Sequence, residues 1–214
     1  MENKNSQGIF LGVMGVATLV VAIIGATFAY FSASVSGNAP VNAESYKFAM
    51  TLSVTPTDPA TTPSKGDKLI PLTETDISKA VTAGCADKNG YAACRIYSLE
   101  FNNTGSSAVT LNGTLTPTSN DFTSLKYSVT AIDGAKSTLA AGTSISGNTA
   151  VSTGLTGLVI PANTTKTMYL MLYINNDTEA NQPNDQGKSF SGTLTFNDAS
   201  GGTGKLEATF NTTG

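Results

Sequence analysis

The sequence of 214 residues contains no histidine. An imidazole ring serves as the general base of Ser-His-Asp and Cys-His catalytic systems, and zinc hydrolase sites normally include at least one histidine ligand. Both kinds of catalytic site are therefore excluded. We expect a protein that is not an enzyme and that needs no cofactor.

Charge is also scarce. Charged residues make up 13% of the chain, the formal net charge is −3, and the 12 lysines and arginines are scattered singly. The chain thus offers no basic field for nucleic acid, and no nucleic-acid partner is expected. Threonine and serine supply the polar surface instead, which in a strand-rich chain is typical of surface and fibre proteins.

Long apolar runs are limited to one, at the start of the chain. Residues 9–31 carry no charged side chain. A helix of that length would be roughly 34 Å long at about 1.5 Å per residue, enough to cross a hydrocarbon core of about 30 Å. No second run of spanning length follows Ser32. The sequence predicts an N-terminal apolar helix and places the rest of the chain outside the cell, secreted or on the cell surface.

Three interpretations of this helix remain open. As a secretory signal peptide, residues 1–29 would be removed by a signal peptidase after the small residues that end at Ala29. As an uncleaved anchor, the helix would stay, and residues 9–31 would be the only part in contact with a membrane. As a type IV pilin-like leader, a short polar peptide would end at Gly8, but the glutamate of that family would then fall on Val13.

Cysteine is limited to Cys85 and Cys94, in the segment GCADKNGYAAC. In an exported protein, an even pair at short spacing predicts a disulfide, and the turn signal Asn89-Gly90 lies inside the loop that it would close. The CxxC spacing of redox-active pairs is lacking. We therefore predict a structural disulfide.

Apolar and polar residues alternate along most of the exported part, as is typical of strands with one buried face. Residues 46–54 give the clearest pattern, residues 55–64 contain three prolines and are predicted to be a loop, and residues 75–83 are predicted to form a short helix. Further strands are predicted at residues 93–101, 108–116, 124–132, 143–151, 155–160, 165–174, 188–197 and 206–211.

One of these strands is apolar on both faces. Residues 168–174 (MYLMLYI) have the pattern of a central strand that is covered on both sides. Because strands and helices do not alternate along the chain, the predicted fold is an all-β sandwich or jelly roll with one short helix, over residues 46–214.

Between the apolar helix and the sandwich lies an arm, residues 30–45, in which Gly37 and Pro40 are breakers. Its first half has a period-two strand pattern, and such an arm can add a strand to an open sheet edge of a neighbouring copy. This head-to-tail contact does not close, so it propagates as a fibre. The alternative is a plain flexible stalk. The candidate donor-strand residues are Tyr30, Phe31, Ala33 and Val35.

Oxygen-bearing side chains cluster near residues 175–179, with Asn184 and Asp185 close by. Such side chains are calcium ligands, but their spacing follows no recognised calcium loop. The pattern predicts a solvated loop, and no metal site is expected.

Several short pieces of the chain follow one another in an order that is known from a family of exported proteins. They are residues 25–32 (GATFAYFS), 66–69 (GDKL), 98–105 (SLEFNNTG), 160–168 (IPANTTKTM), 185–190 (DQGKSF) and 192–196 (GTLTF). By these pieces the chain resembles the TasA and camelysin group, and it departs from the group in the loop between Cys85 and Cys94.

The resemblance implies that a dedicated SipW-type signal peptidase cuts the leader and that copies of the chain build extracellular fibres in a biofilm matrix. Assembly would proceed by donor-strand complementation, in which the N-terminal segment of one mature subunit completes the sheet of the next. The first hypothesis is therefore a fibre subunit whose partners are copies of itself. The alternative is a membrane-anchored monomeric adhesin.

Overall fold

The computed structural model describes residues 41–45, 48–60, 68–176, 185 and 187–213. The strands of this part of the chain are β1 (Val41–Ser45), β2 (Phe48–Asp58), β3 (Arg95–Asn103), β4 (Val109–Asn120), β5 (Leu125–Val129), β6 (Thr143–Ser144), β7 (Leu158–Ile160), β8 (Thr164–Ile174), β9 (Ser189–Asp198) and β10 (Lys205–Thr213). They form two antiparallel sheets, with the orders β1-β2-β3-β8-β5-β6 and β10-β9-β4-β7. The predicted all-β sandwich is confirmed.

The inward faces of the two sheets form the main core. Alternation makes this possible, because every second side chain of a strand points to the same face. Phe101 of β3 meets Phe196 of β9 edge-on, with ring centroids 4.9 Å apart. Other fully buried members of this core are Leu52, Leu99, Leu111, Leu115, Met168, Leu170, Leu172, Leu194 and Leu206.

A second, smaller core covers the outer face of the six-stranded sheet. Here the short helix α1 (Ile77–Thr82) buries Ile77 and Val81 against Met171 and Tyr173 of β8. The predicted short helix is confirmed, and a 3-10 turn at Glu74–Asp76 precedes it. One face of β8 thus packs on the other sheet and the opposite face packs on α1. This explains why residues 168–174 are apolar on both faces.

Two predictions are wrong in extent, one of a loop and one of a strand. The predicted loop from Thr55 is wrong for residues 55–58, because β2 continues through Pro56 to Asp58 and its pairing with β3 shifts register between these two residues. Proline is tolerated on such irregular or edge strands. The strand predicted at residues 143–151 shortens to β6, and beyond it the chain turns.

The structure also contains a strand that the pattern did not indicate. Strand β1 pairs with β2, with Val41 opposite Leu52 and Ser45 opposite Phe48. The last part of the predicted arm thus belongs to the six-stranded sheet. Among the described residues, no helix is long and apolar enough to cross a membrane. The predicted apolar helix lies outside those residues.

Candidate assembly edge

The two cysteines form the predicted disulfide, Cys85–Cys94. Both are fully buried, and the Ala93 amide donates to the Cys85 carbonyl at 2.8 Å. The bond therefore ties the end of the α1 segment to the start of β3 and holds the second core in place. A structural disulfide indicates folding in an oxidising compartment.

The predicted donor-strand residues Tyr30, Phe31, Ala33 and Val35 lie outside the described residues. The described part of the chain does contain the other half of such an interaction, namely sheet edges that can accept a strand. An unpaired edge presents backbone donors and acceptors to another chain.

Strand β10 is one such edge. It pairs with β9 from Lys205 opposite Asn197 to Thr213 opposite Ser189, without a register shift. No described residue is hydrogen-bonded to its other side, although β1 and β2 of the six-stranded sheet both lie within contact distance of β10.

The second open edge belongs to β2. The described pairing of β1 with β2 runs from Ser45 opposite Phe48 to Val41 opposite Leu52, and no described residue pairs with residues 53–58 on the side away from β3. These two edges lie on the same side of the sandwich. Phe210 of β10 meets Tyr97 of β3 edge-on at 4.8 Å between ring centroids, and Tyr97 is paired with Pro56 of β2. We call residues 54–58 of β2 and residues 208–212 of β10 the open seam.

Burial decreases along the inward row of β2 as it approaches the open seam. Met50 and Leu52 are 2% and 0% exposed, whereas Val54 is half-buried and Pro56 is exposed. In β3 the same trend leaves Tyr97 half-buried although Leu99 is fully buried. The side of the sandwich is thus incompletely covered at the open seam, and apolar surface remains in contact with water there.

The electrostatics of the open seam are simple. Residues 208–212 of β10 carry no charge, and its charged pair, Lys205 and Glu207, lies toward the start of the strand at 2.5 Å. Asp58 at the end of β2 is buried and is neutralised by an ion pair with Lys136. Burial raises the pKa of Tyr97, and the nearby positive charge of Arg95 offsets part of this shift. The open seam is therefore neutral and suits an uncharged segment.

At the end of β10, one polar group is buried. The side chain of Thr212 is 5% exposed, and its Oγ1 has no hydrogen-bond partner within the described part of the chain. Leaving a buried hydroxyl unsatisfied costs about 1–3 kcal/mol.

Asn175 and Asp185, two of the candidate calcium ligands, do not lie in a solvated loop. Asn175 is fully buried at the end of β8, and Asp185 is 2% exposed and accepts hydrogen bonds from the Thr123 amide and hydroxyl at 2.6 and 2.9 Å. The solvated-loop prediction is thus wrong for these two residues, while residues 177–184 lie outside the described part. Across the described ranges, no group of three or more cysteine, aspartate or glutamate side chains is placed to hold a metal ion.

Neither a family model nor a curated protein matches this chain. Among solved structures, it is similar to a FixG-related protein from Vibrio parahaemolyticus, with 8% identity and a TM-score of 0.35 over 77% of this chain and 94% of that chain. It is also similar to the cupredoxin domain of amoB from Nitrosocaldus yellowstonii, with 10% identity and a TM-score of 0.37 over 78% and 86% of the two chains. Likenesses this distant carry no argument about function.

Proposed function

We propose that this protein is a structural, non-enzymatic subunit of an extracellular surface or biofilm-matrix fibre, of the kind that the TasA and camelysin resemblance implies. Export through cleavage of residues 1–29 by a signal peptidase would free the arm, and residues 30–38 of one subunit would enter the open seam of the next. The partners are further copies of the same chain.

The observation that carries the proposal is the incomplete cover at the open seam. No described residue is hydrogen-bonded to the outer side of β10 or of residues 53–58 in β2, and Val54, Pro56 and Tyr97 keep apolar surface exposed. A strand with apolar residues on one side would pair with the backbone and cover these side chains. This is the physical basis of strand addition, in which main-chain bonds give affinity and side-chain pockets give specificity.

The sequence favours an arm from another subunit over the chain's own. Continuing the β1–β2 register beyond Val41 would set Pro40, Ala39 and Gly37 against Ser53, Val54 and Pro56. Proline and glycine are poor strand residues, and glycine has no side chain to cover Tyr97. Of the four candidate donor-strand residues, only Val35 would reach the open seam in this register, where it would lie opposite Asp58.

The buried disulfide supports the location outside the cytoplasm, because such bonds persist in oxidising surroundings. The same cross-link stabilises the folded subunit relative to its unfolded chain, which suits a protein that works outside the cell. The low charge and the hydroxyl-rich strands are compatible with a surface protein.

The decisive experiment changes the arm and leaves the sandwich intact. Phe31→Asp with Val35→Asp removes two side chains that would contribute about 1.5–3 kcal/mol each when buried, which corresponds to a loss of roughly 100-fold or more in subunit affinity. We expect a folded monomer by size-exclusion chromatography and circular dichroism, and no fibres in electron micrographs.

The matched control is Ser32→Asp with Ser34→Asp, which adds the same charge to the opposite side of the same segment. This variant should still form fibres, because its aspartates face solvent. If both variants form fibres like the parent, the arm is a plain stalk and the proposal is wrong. If the parent stays monomeric at high concentration, the anchored monomeric adhesin becomes the better hypothesis.

A further inference from the structure

We infer that Asn89, in the loop that the disulfide closes, is a site of spontaneous deamidation whose rate is set by the fold. In this reaction the backbone nitrogen of the next residue attacks the asparagine side chain, and ammonia leaves. Asparagine is among the residues most prone to such chemical change. The product carries one more negative charge, so an exposed loop of the protein changes its charge and shape with time.

The nitrogen of Gly90 is the nucleophile. It loses its proton to solvent base as it bonds to Cγ of Asn89, and the Cγ–Nδ2 bond breaks while the departing nitrogen takes up a proton. Water then adds across one of the two carbonyl–nitrogen bonds of the succinimide ring and gives aspartate or isoaspartate. Glycine favours the attack because no side chain shields its nitrogen, and here it also provides the φ of +84° that the turn requires.

The turn around Asn89 gives solvent access to this pair. Asn89 is exposed and Gly90 is half-buried. The Gly90 amide donates to the Asp87 carbonyl at 3.0 Å, and the Asp87 amide donates to the Tyr91 carbonyl at 2.9 Å. A turn that is held by a few exposed hydrogen bonds opens locally at a low cost in free energy. Opening frees the Gly90 nitrogen for the attack.

The sequence contains a second Asn-Gly step, Asn112-Gly113, and the fold protects it. Gly113 is buried in β4, and its amide donates to the Leu155 carbonyl at 2.7 Å. A Cβ on Gly113 would lie 2.3 Å from the ring of Phe196, so the backbone has little room to rotate. The Oδ1 of Asn112 is itself held by the Gly157 amide at 2.9 Å. The tertiary structure thus separates two steps that the dipeptide sequence does not.

Asp87 controls how long the exposed turn stays closed. Its Oδ1 accepts hydrogen bonds from the amides of Asn89 and Tyr91 at 2.9 and 2.7 Å, and its Oδ2 accepts one from Nδ2 of Asn89 at 3.1 Å. Ring closure must first break these bonds. Afterwards the new carboxylate has no donor for Asp87 and repels it, so the reaction converts a closed turn into an open one.

Peptide mapping by mass spectrometry tests this site in the purified chain. Native protein and protein that has been reduced and denatured in urea are incubated in parallel at mildly alkaline pH. Asn89 and Asn112 should convert at similar rates in the denatured chain. In the native protein, Asn89 should convert at least about tenfold faster than Asn112, because only its turn opens locally. Isoelectric focusing should show a more acidic band that the Asn89→Gln variant lacks.

The role of Asp87 is tested with Asp87→Ala, after circular dichroism has confirmed its fold. This variant should deamidate severalfold faster than the parent in the native state and at the same rate when denatured. An unchanged native rate would overturn the role of Asp87. Equal native rates at Asn89 and Asn112, whether both convert or both stay intact while the denatured chain reacts, would overturn the assignment of the site.

Discussion

A single buried amide, that of Asn103, offers a sharp test of what holds the end of the sandwich together. Asn103 is the last residue of β3 and is 1% exposed. Its Nδ2 donates to the carbonyl oxygens of Ser107, Ile160 and Pro161 at 2.9–3.1 Å, and its Oδ1 accepts from the Gly105 amide at 2.9 Å. One side chain therefore fastens the turn after β3 to the turn between β7 and β8.

Asn103→Asp keeps the shape of this side chain and removes its donor. A carboxylate oxygen would then face three carbonyl oxygens at hydrogen-bond distance, with no cation to neutralise it. Leaving a buried charge without compensation costs about 3–5 kcal/mol, which is a large part of the roughly 5–15 kcal/mol that stabilises a typical domain. We expect the free energy of unfolding at neutral pH to fall by that amount.

The loss should depend on pH with a defined sign. The neutral acid can donate one hydrogen bond, so the folded state of the variant raises the pKa of the new carboxyl above about 3.9, its value in the unfolded chain. The stability that the neutral acid provides is complete below that unfolded-state value and is lost as the pH rises through the higher folded-state pKa. The deficit relative to the parent should therefore shrink on acidification.

Urea unfolding followed by circular dichroism, at neutral pH and near pH 4, measures both effects. Asn102→Asp is the matched control, because Asn102 is the adjacent residue, half-buried on the opposite face, and its Oδ1 accepts only a long bond from Thr165 at 3.3 Å. A loss below about 1 kcal/mol for Asn103→Asp, or an equal loss for Asn102→Asp, would refute the reasoning.

Two further predictions concern the disulfide and the open seam. Replacing Cys85 and Cys94 by alanine should lower the free energy of unfolding by about 2.6 kcal/mol, the chain-entropy value for residues 9 apart; a change below about 1 kcal/mol in urea titrations would show that the bond is dispensable. Tyr97→Phe should resist alkaline unfolding better than the parent. Burial raises the pKa of Tyr97 above its ordinary value of 10.0, so the stability given by the neutral phenol is complete below that value and is lost as the pH rises through the folded-state pKa. Equal midpoints in an alkaline titration followed by circular dichroism would contradict this.

The pattern of the sequence predicted the faces of the strands well. Alternation identified β8, β9 and β10 with ends displaced by one or two residues, because burial on one face imposes period two on any strand. The double-sided apolar pattern of residues 168–174 likewise predicted a central strand. Its physical cause, the α1 segment packed on the outer face, required knowledge of tertiary contacts.

The pattern failed where backbone pairing decides the structure. Pro56 suggested a loop, yet β2 accommodates it because the register with β3 shifts there and no described residue pairs with Pro56 on the other side. Residues 143–151 alternate, but Gly147 and its neighbours turn away after β6. Strand β1 is only five residues long, with Val41 and Ala43 as its apolar positions, and it forms through its pairing with β2.

The sequence predicted only one half of the candidate assembly site. The arm pattern suggested a donor, since a strand needs only its own alternation to be recognised. The acceptor could not be predicted, because alternation states which side chains face inward but not which strand lies at an edge. The open seam follows from the pairing order of the sheets, which only the tertiary structure shows.

The outward face of the four-stranded sheet has a consequence for how the protein behaves in acid. Thr116, Thr193 and Thr209 lie directly opposite one another across β4, β9 and β10. From its composition, the chain is expected to carry no net charge near pH 4.8, where loss of ionic repulsion ordinarily favours precipitation. Threonine hydroxyls do not titrate, so we expect the hydration of this face to be the same on both sides of that pH.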